Sequence, residues 1–240
     1  YSFPSPPMEI FQENIEQKFI YPAGQARMLR DWLEYRFVPD PHHHAGVIHS
    51  IYYDTPALHL YGEKLNSDYQ KTKVRLRWYG SEGYRPDDDV ICFLEIKRKF
   101  GAVRRKRRES FPLPARILSG DPFSSQEVWN ASSRTFANEY VPPGTLVPVA
   151  EIRYRRLRYV DPETGSRLSL DFDIRCERAN TALFPFRVPV YLDSGVLEQK
   201  GPSRFLLPSQ GPIAGYLRKC AFSKYAECIE GLQQPLSPRR

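Results

Sequence analysis

Apolar and polar residues alternate through most of this 240-residue chain. A period of two belongs to β-strands, whose successive side chains point to opposite faces. The alternation is strongest over 71–79 and 90–99, and the turn-rich stretch between them predicts an antiparallel hairpin. Further strands are predicted over 11–20, 47–53, 103–111, 149–160, 167–175 and 190–200, with the turn Asp161-Pro162-Glu163-Thr164-Gly165 joining two of them. Helical spacing follows Pro22, where Leu29, Trp32, Leu33 and Phe37 share a face until Pro39-Asp40-Pro41 stops the run. A shorter helix carries Leu58, Tyr61 and Leu65. Ser124 with Glu127 three residues later reads as a capping box, with Val128, Trp129 and Phe136 facing inward. A last helix is predicted over 213–232, with Lys224 on an otherwise apolar stripe of Leu217, Cys220 and Cys228. Hairpins dominate the connections. The expected architecture is therefore α+β: an antiparallel eight-stranded β-barrel, a tunnel with a charged interior and helices packed outside. One domain is expected over 10–233, between a proline-bearing leader at 1–9 and a tail at 234–240.

The faces of these strands are unusual. Glu16-Gln17-Lys18, Arg75-Leu76-Arg77, Glu95-Ile96-Lys97 and Glu198-Gln199-Lys200 place charges two apart, and Arg167, Asp171 and Asp173 follow the same alternation at spacings of four and two. The residues between them (Val74, Leu76, Trp78, Leu94, Ile96, Leu168, Leu170, Phe172) are apolar and point the other way. A solvated ion-pair ladder would give one such pair. Repeated on successive strands with apolar backs, the pairs read as the lining of a cavity.

Composition bears on what that cavity holds. The net charge of +7, from 35 basic and 28 acidic residues, favours an anionic partner. The cysteines, Cys92, Cys176, Cys220 and Cys228, lack zinc or disulfide spacing and read as reduced thiols of a cytoplasmic protein. No stretch approaches the roughly 18 apolar residues of a membrane span, and no signal peptide is visible.

Phosphate chains require many cations, arginine above all, because its planar fork matches phosphate oxygens in pairs. The candidates are Lys18, Arg75, Arg77, Lys97, Lys106, Arg156, Arg167, Lys200 and Lys224. Lys106 is one reading of the run Arg104-Arg105-Lys106-Arg107-Arg108, in which alternate members face inward. Lys224 either snorkels outward or reaches a buried anion. Carboxylates in such a lining suit Mg²⁺ or Mn²⁺, hard ions that bridge phosphates; Glu16, Glu95 and Glu198 are the candidates. His42-His43-His44, in a proline-flanked loop, reads as solvated. No Walker A loop, dinucleotide fingerprint or Ser/His/Asp spacing is present, so phosphate must be gripped by side chains.

Taken in order, Glu16-Gln17-Lys18-Phe19, Ser50-Ile51-Tyr52-Tyr53-Asp54, Arg75-Leu76-Arg77-Trp78-Tyr79-Gly80, Glu95-Ile96-Lys97, Tyr154-Arg155-Arg156, Arg167-Leu168-Ser169-Leu170-Asp171, Val196-Leu197-Glu198-Gln199-Lys200 and Phe222-Ser223-Lys224-Tyr225 resemble the polyphosphate polymerase domain of vacuolar transporter chaperone complexes. That domain belongs to the triphosphate tunnel metalloenzyme, or CYTH-like, superfamily. The resemblance implies an eight-stranded tunnel, Glu198 as leading metal ligand, and phosphate-binding roles for Lys18, Arg75, Arg77, Lys97, Lys106, Arg156, Arg167 and Lys224. It implies a phosphotransferase that passes the γ-phosphate of ATP to a growing polyphosphate chain. A tripolyphosphate or nucleoside-triphosphate hydrolase would need the same grip. A non-catalytic polyanion-binding or RNA-binding module, stacking bases on Tyr52, Tyr53, Trp78 and Tyr79, is the weaker alternative, because the cations alternate with apolar residues rather than forming an outer stripe.

Overall fold

The alternating segments fold as strands close to their expected bounds, except that the one expected over 190–200 is divided into two, Val190–Tyr191 and Ser194–Pro202. The computed structural model describes residues 14–66, 69–80, 83–101, 103–131, 144–186, 188–202 and 213–234; the expected leader, Phe136 and the last six residues lie outside this set. In chain order the elements are β1 (Asn14–Pro22), α1 (Ala26–Arg36), β2 (Val38–Pro39), β3 (Ala45–Asp54), α2 (His59–Leu65), β4 (Gln70–Gly80), β5 (Asp89–Phe100) and β6 (Val103–Pro114). There follow α3 (Ala115–Ser119), α4 (Gln126–Ala131), β7 (Val147–Val160), β8 (Arg167–Ala179), β9 (Val190–Tyr191), β10 (Ser194–Pro202), β11 (Arg218–Lys219) and α5 (Lys224–Gln233).

The strands form one antiparallel sheet in the order β11-β1-β10-β8-β7-β3-β4-β5-β6, with β2 added to β7 and β9 to β8. The α+β class stands, but the closed eight-stranded barrel does not. The sheet has 11 strands, three of them only two residues long, and its ends are not hydrogen-bonded to each other among the described residues. One edge of the seam is strongly cationic. Edge strand β6 presents Arg104, Arg105, Lys106, Arg107 and Arg108 in succession, all exposed, and a row of cations blunts an edge against further pairing. On the opposite end, Phe19 and Ile20 of β1 pair instead with β11. The sheet nonetheless curls until Arg104 Nη1 of β6 stands 3.4 Å from Glu16 Oε2 of β1. The result is a trough with a seam bridged by side chains.

Its convex face is apolar, as the period-two reading requires. Leu29 and Leu33 of α1 pack on Tyr159, Leu168, Leu170 and Leu197. Ala115 and Leu118 of α3 and Val128 of α4 pack on Val74, Leu76, Trp78, Leu94 and Ile96. Each buried leucine contributes about 1.5–3 kcal/mol. Tyr53 and Trp78 belong to this outer layer: Tyr53 donates to the Val128 carbonyl at 2.6 Å, and Trp78 stacks on His49 at 5.1 Å.

Several local expectations are revised. Not every helix lies outside, since Tyr225, Ala226 and Ile229 of α5 pack with Tyr52, Ile152, Tyr154 and Val196, so α5 closes one end of the concave side. That helix is also shorter than its predicted span. Leu217 and Cys220 precede it, and Ser223 caps it, accepting from Ala226 N. The cap of α4 is Ser125 rather than Ser124, because Ser125 Oγ accepts from Val128 N while Ser124 Oγ donates to Asp121. Trp129 does not face inward; it is 37% exposed. Asp173 does not share the face of Asp171. It sits at a register shift between β7 and β8 with φ of 53°, in the left-handed region that aspartate tolerates better than most residues, and pairs with Arg175 at 3.2 Å.

Gly195, opposite Tyr21 in the β1–β10 ladder, leaves room for the end of the tyrosine ring against the backbone. A Cβ there would fall 2.1 Å from Tyr21 Cζ. Gly195→Ala is expected to cost about 1–3 kcal/mol through forced repacking, read as a lower midpoint in urea unfolding; an unchanged midpoint would show that the ring moves freely.

Candidate functional site

Cross-strand register assembles the predicted lining on the concave face. Lys18 stands opposite Glu198, Glu16 opposite Lys200, and Lys200 opposite Arg167. Arg156 faces Asp171 across β7 and β8. On the other wall Tyr52 meets Arg75, Arg75 meets Glu95, and Lys97 meets Lys106. The Arg104, Lys106, Arg108 register of the basic run is the one turned inward, since Lys106 Nζ and Arg108 Nε reach Glu95 Oε1 at 3.2 and 3.6 Å.

Two acidic residues organise this surface. Glu95, 3% exposed, accepts from Nε and Nη2 of Arg75 at 2.8 and 2.5 Å and lies 3.9 Å from Arg77. Burial opposes ionisation of Glu95, but Arg75, Arg77 and Lys106 outweigh it and hold the carboxyl well below the usual carboxylate range. Asp171, fully buried, takes a bidentate fork from Arg156 at 2.5 and 2.7 Å and the Lys224 ammonium at 2.6 Å. Its carboxyl is likewise held low: burial works against the charge, and Arg156 and Lys224 prevail. Lys224 therefore reaches a buried anion, and that anion is the protein's own. Its ammonium also sits 4.6 Å over the Tyr154 ring. Arg77 is oriented by neutral groups, donating to Ser50 Oγ and Tyr154 Oη, each at 3.1 Å.

Such pairing answers a physical difficulty. Cations crowded at low dielectric repel strongly, and fixed carboxylates keep the arginine forks aligned without an anion present. Cations still outnumber carboxylates. Lys97 has no carboxylate within ion-pair distance among the described residues; burial, with Arg75 beside it, draws its ammonium down to about 8.

The three candidate metal ligands stand apart. Both oxygens of Glu95 are committed to cations. Glu16 lies between Lys18 at 3.2 Å and Arg104. Glu198 pairs with Lys200 at 2.8 Å and lies 3.9 Å from Arg156; burial raises its affinity for a proton, yet Lys18, Lys200 and Arg156 hold it below the ordinary range. No cluster of three or more His, Cys, Asp or Glu side chains suited to a metal occurs among the described residues. Glu198 alone, less crowded than Glu95 and open to the trough, suits an ion that draws its remaining ligands from phosphate and water, the usual habit of Mg²⁺. Arg167 is exposed at the rim of β8 and makes no ion pair among the described residues. His42 and His43 are exposed in their loop, their amides bonded to Asp40. The four cysteines are free.

A family model described as the VTC domain matches residues 13–232. The chain belongs to the VTC domain family. The match spans every residue of the trough named above, as the ordered motifs implied. No curated protein sequence matches the chain. Among solved structures, a Bacillus halodurans protein classed provisionally as an adenylate cyclase is similar over 85% of this chain and 97% of its own, at 13% identity and a TM-score of 0.46. That likeness is too shallow to bear on chemistry. No helix of the described residues is long and apolar enough to cross a membrane.

Two members of this VTC-domain trough were not among the expected site residues. Asp171 was visible as part of an alternating charge pattern, but its role as shared counter-ion needs β7 and α5 to converge. Lys73 continues the same period from Arg75 and Arg77, so the alternation itself was its signal. Of the aromatics proposed for stacking on bases, Tyr53 and Trp78 face the convex core. Tyr52 is buried against Tyr225, ring centroids 4.8 Å apart, and accepts from Arg75 at 3.2 Å. Only Tyr79 is exposed. That distribution weighs against the RNA-binding alternative.

Proposed function

We propose that the trough grips the phosphates of ATP and of a polyphosphate chain and transfers the γ-phosphoryl group to the chain end. The observation that carries this reading is the excess of inward-facing cations over carboxylates on a curled sheet whose outer face is sealed by helices. Arg75, Arg77 and Arg156 are held in forks by Glu95, Ser50, Tyr154 and Asp171, so donors are aligned before the anion arrives; alignment of this kind accelerates phosphoryl transfer through positioning and charge neutralisation. Lys18, Lys97, Lys106, Lys200, Arg167 and Lys224 supply further charge along the groove. Glu198 would hold Mg²⁺ or Mn²⁺ together with phosphate oxygens, and such an ion supplies charge neutralisation at the transferring group. Departing ADP would take the electrons of the broken bond while an oxygen of the chain end forms the new one.

The test is incubation of the purified protein with ATP and Mn²⁺. Long-chain polyphosphate and ADP are expected. Inorganic phosphate without chain product would replace the transferase by a triphosphate hydrolase, and neither product would overturn both.

A further inference from the structure

Lys73, like Lys97 and Arg167, is a trough cation that no carboxylate partners among the described residues. It lies on the concave face of β4, two residues before Arg75 and directly opposite Lys97. Its ammonium donates to Ser223 Oγ at 3.0 Å, the buried hydroxyl that caps α5. Lys18 has Glu16, Arg75 and Lys106 have Glu95, Arg156 and Lys224 have Asp171, and Lys200 has Glu198. Lys73 has no carboxylate within ion-pair distance among the described residues. Its charged surroundings are cationic: Lys18 from β1, Arg75 on its own strand, Lys97 from β5, Lys64 from α2 and Lys224 from α5. Glu63 of α2 accepts from the Thr72 amide.

We propose that Lys73 is a further phosphate-contacting residue, and that it becomes charged by taking up a proton as the anion binds. The inference rests on reading the trough as a phosphate seat. Like charges directly across a ladder are unfavourable, and a lysine ringed by cations sheds its proton more readily than any paired neighbour. Burial is the leading cause, with Lys18 and Arg75 adding to it, and together they draw the Lys73 ammonium down to about 7. An arriving phosphate chain reverses the local field. The neutral amine then accepts one proton from solvent, and the ammonium formed donates to a phosphate oxygen; no bond of the anion is broken. Ser223 Oγ is within reach in either state, so α5 holds the side chain in place throughout.

Titration calorimetry with metal-free inorganic tripolyphosphate, in two buffers of different ionisation heat at about pH 8, reads the proton directly. The wild-type protein is expected to take up a large fraction of one proton per anion bound, and its affinity to fall by up to roughly tenfold per pH unit above neutrality. Lys73→Met should lose that share of the uptake and bind about tenfold more weakly at acidic pH. Lys73→Arg, charged at every working pH, should bind with the same share of uptake gone and with a flatter pH profile. Uptake from Lys97 is common to all three proteins, so the difference between them is the result that counts. Equal uptake in all three, or none in the wild type, would overturn the role of Lys73 while leaving the trough reading intact. Failure of the wild type to bind tripolyphosphate at all would overturn both.

Discussion

Asp171→Ala is expected to destabilise the fold by about 3–5 kcal/mol, the range for removing one partner from a buried ion pair. Arg156 and Lys224 both converge on this fully buried carboxylate, and without it two cations face each other beneath α5. Denaturant unfolding at neutral pH measures the loss; a change below about 1 kcal/mol would mean that both cations find water at little cost. Tripolyphosphate should restore part of the stability, because its oxygens can replace the missing carboxylate and anything that binds only the folded state shifts the equilibrium towards it. The same residue sets an acid limit. Its carboxyl is held below its unfolded value, so the unfolded chain binds the proton first as pH falls. The stabilisation is fully present above the ordinary carboxylate range, near pH 4, and is lost below it. Wild-type stability should therefore fall steeply under acid, and the Asp171→Ala variant should show less of that dependence.

Glu198→Gln is expected to lower ATP-dependent turnover by at least about 100-fold, the scale of losing several kcal/mol of charge stabilisation at a metal-assisted transfer. The amide keeps the shape and removes the charge. Metal-free tripolyphosphate affinity should hold or rise in the same variant, since Lys18, Lys200 and Arg156 would be freed from a carboxylate that now draws on them. Kinetics and calorimetry on one preparation separate the two effects. A parallel fall in turnover and metal-free binding would show that Glu198 merely orients its neighbours. Full activity would remove it from the reaction.

Much of the trough was legible because strand alternation is a local property. Arg75 and Arg77 could be placed on one face, and Leu76 and Trp78 on the other, from spacing alone. The outer core followed for the same reason, whereas alternation left the inward register of the basic run as one of two choices, and only the contacts of Lys106 and Arg108 with Glu95 distinguish them. Features set by distant contacts were not legible. The start of α5 depends on Ser223 capping its first turn, whereas Leu217 and Cys220 only mimic a helical stripe. Asp173 breaks the alternation at a register shift that no spacing announces. The barrel expectation failed at its seam, where the cationic edge β6 meets β1 through side chains such as Arg104 and Glu16 rather than through the backbone ladder that strand count alone would permit.

The sequence by itself determined which side chains share a face, because that depends on a period of two and an apolar back on each strand. It determined the excess of positive charge and the ordered motifs of the VTC domain. Only the tertiary structure decided how that charge is arranged. Glu95 and Glu198 look alike in the chain, each two residues before a lysine, yet curling of the sheet surrounds one with Arg75, Arg77, Lys106 and Arg108 and leaves the other beside fewer cations. Electrostatic energy depends on distance through space, and residues far apart in the chain, such as Asp171 and Lys224, acquire their roles only when the fold brings them together.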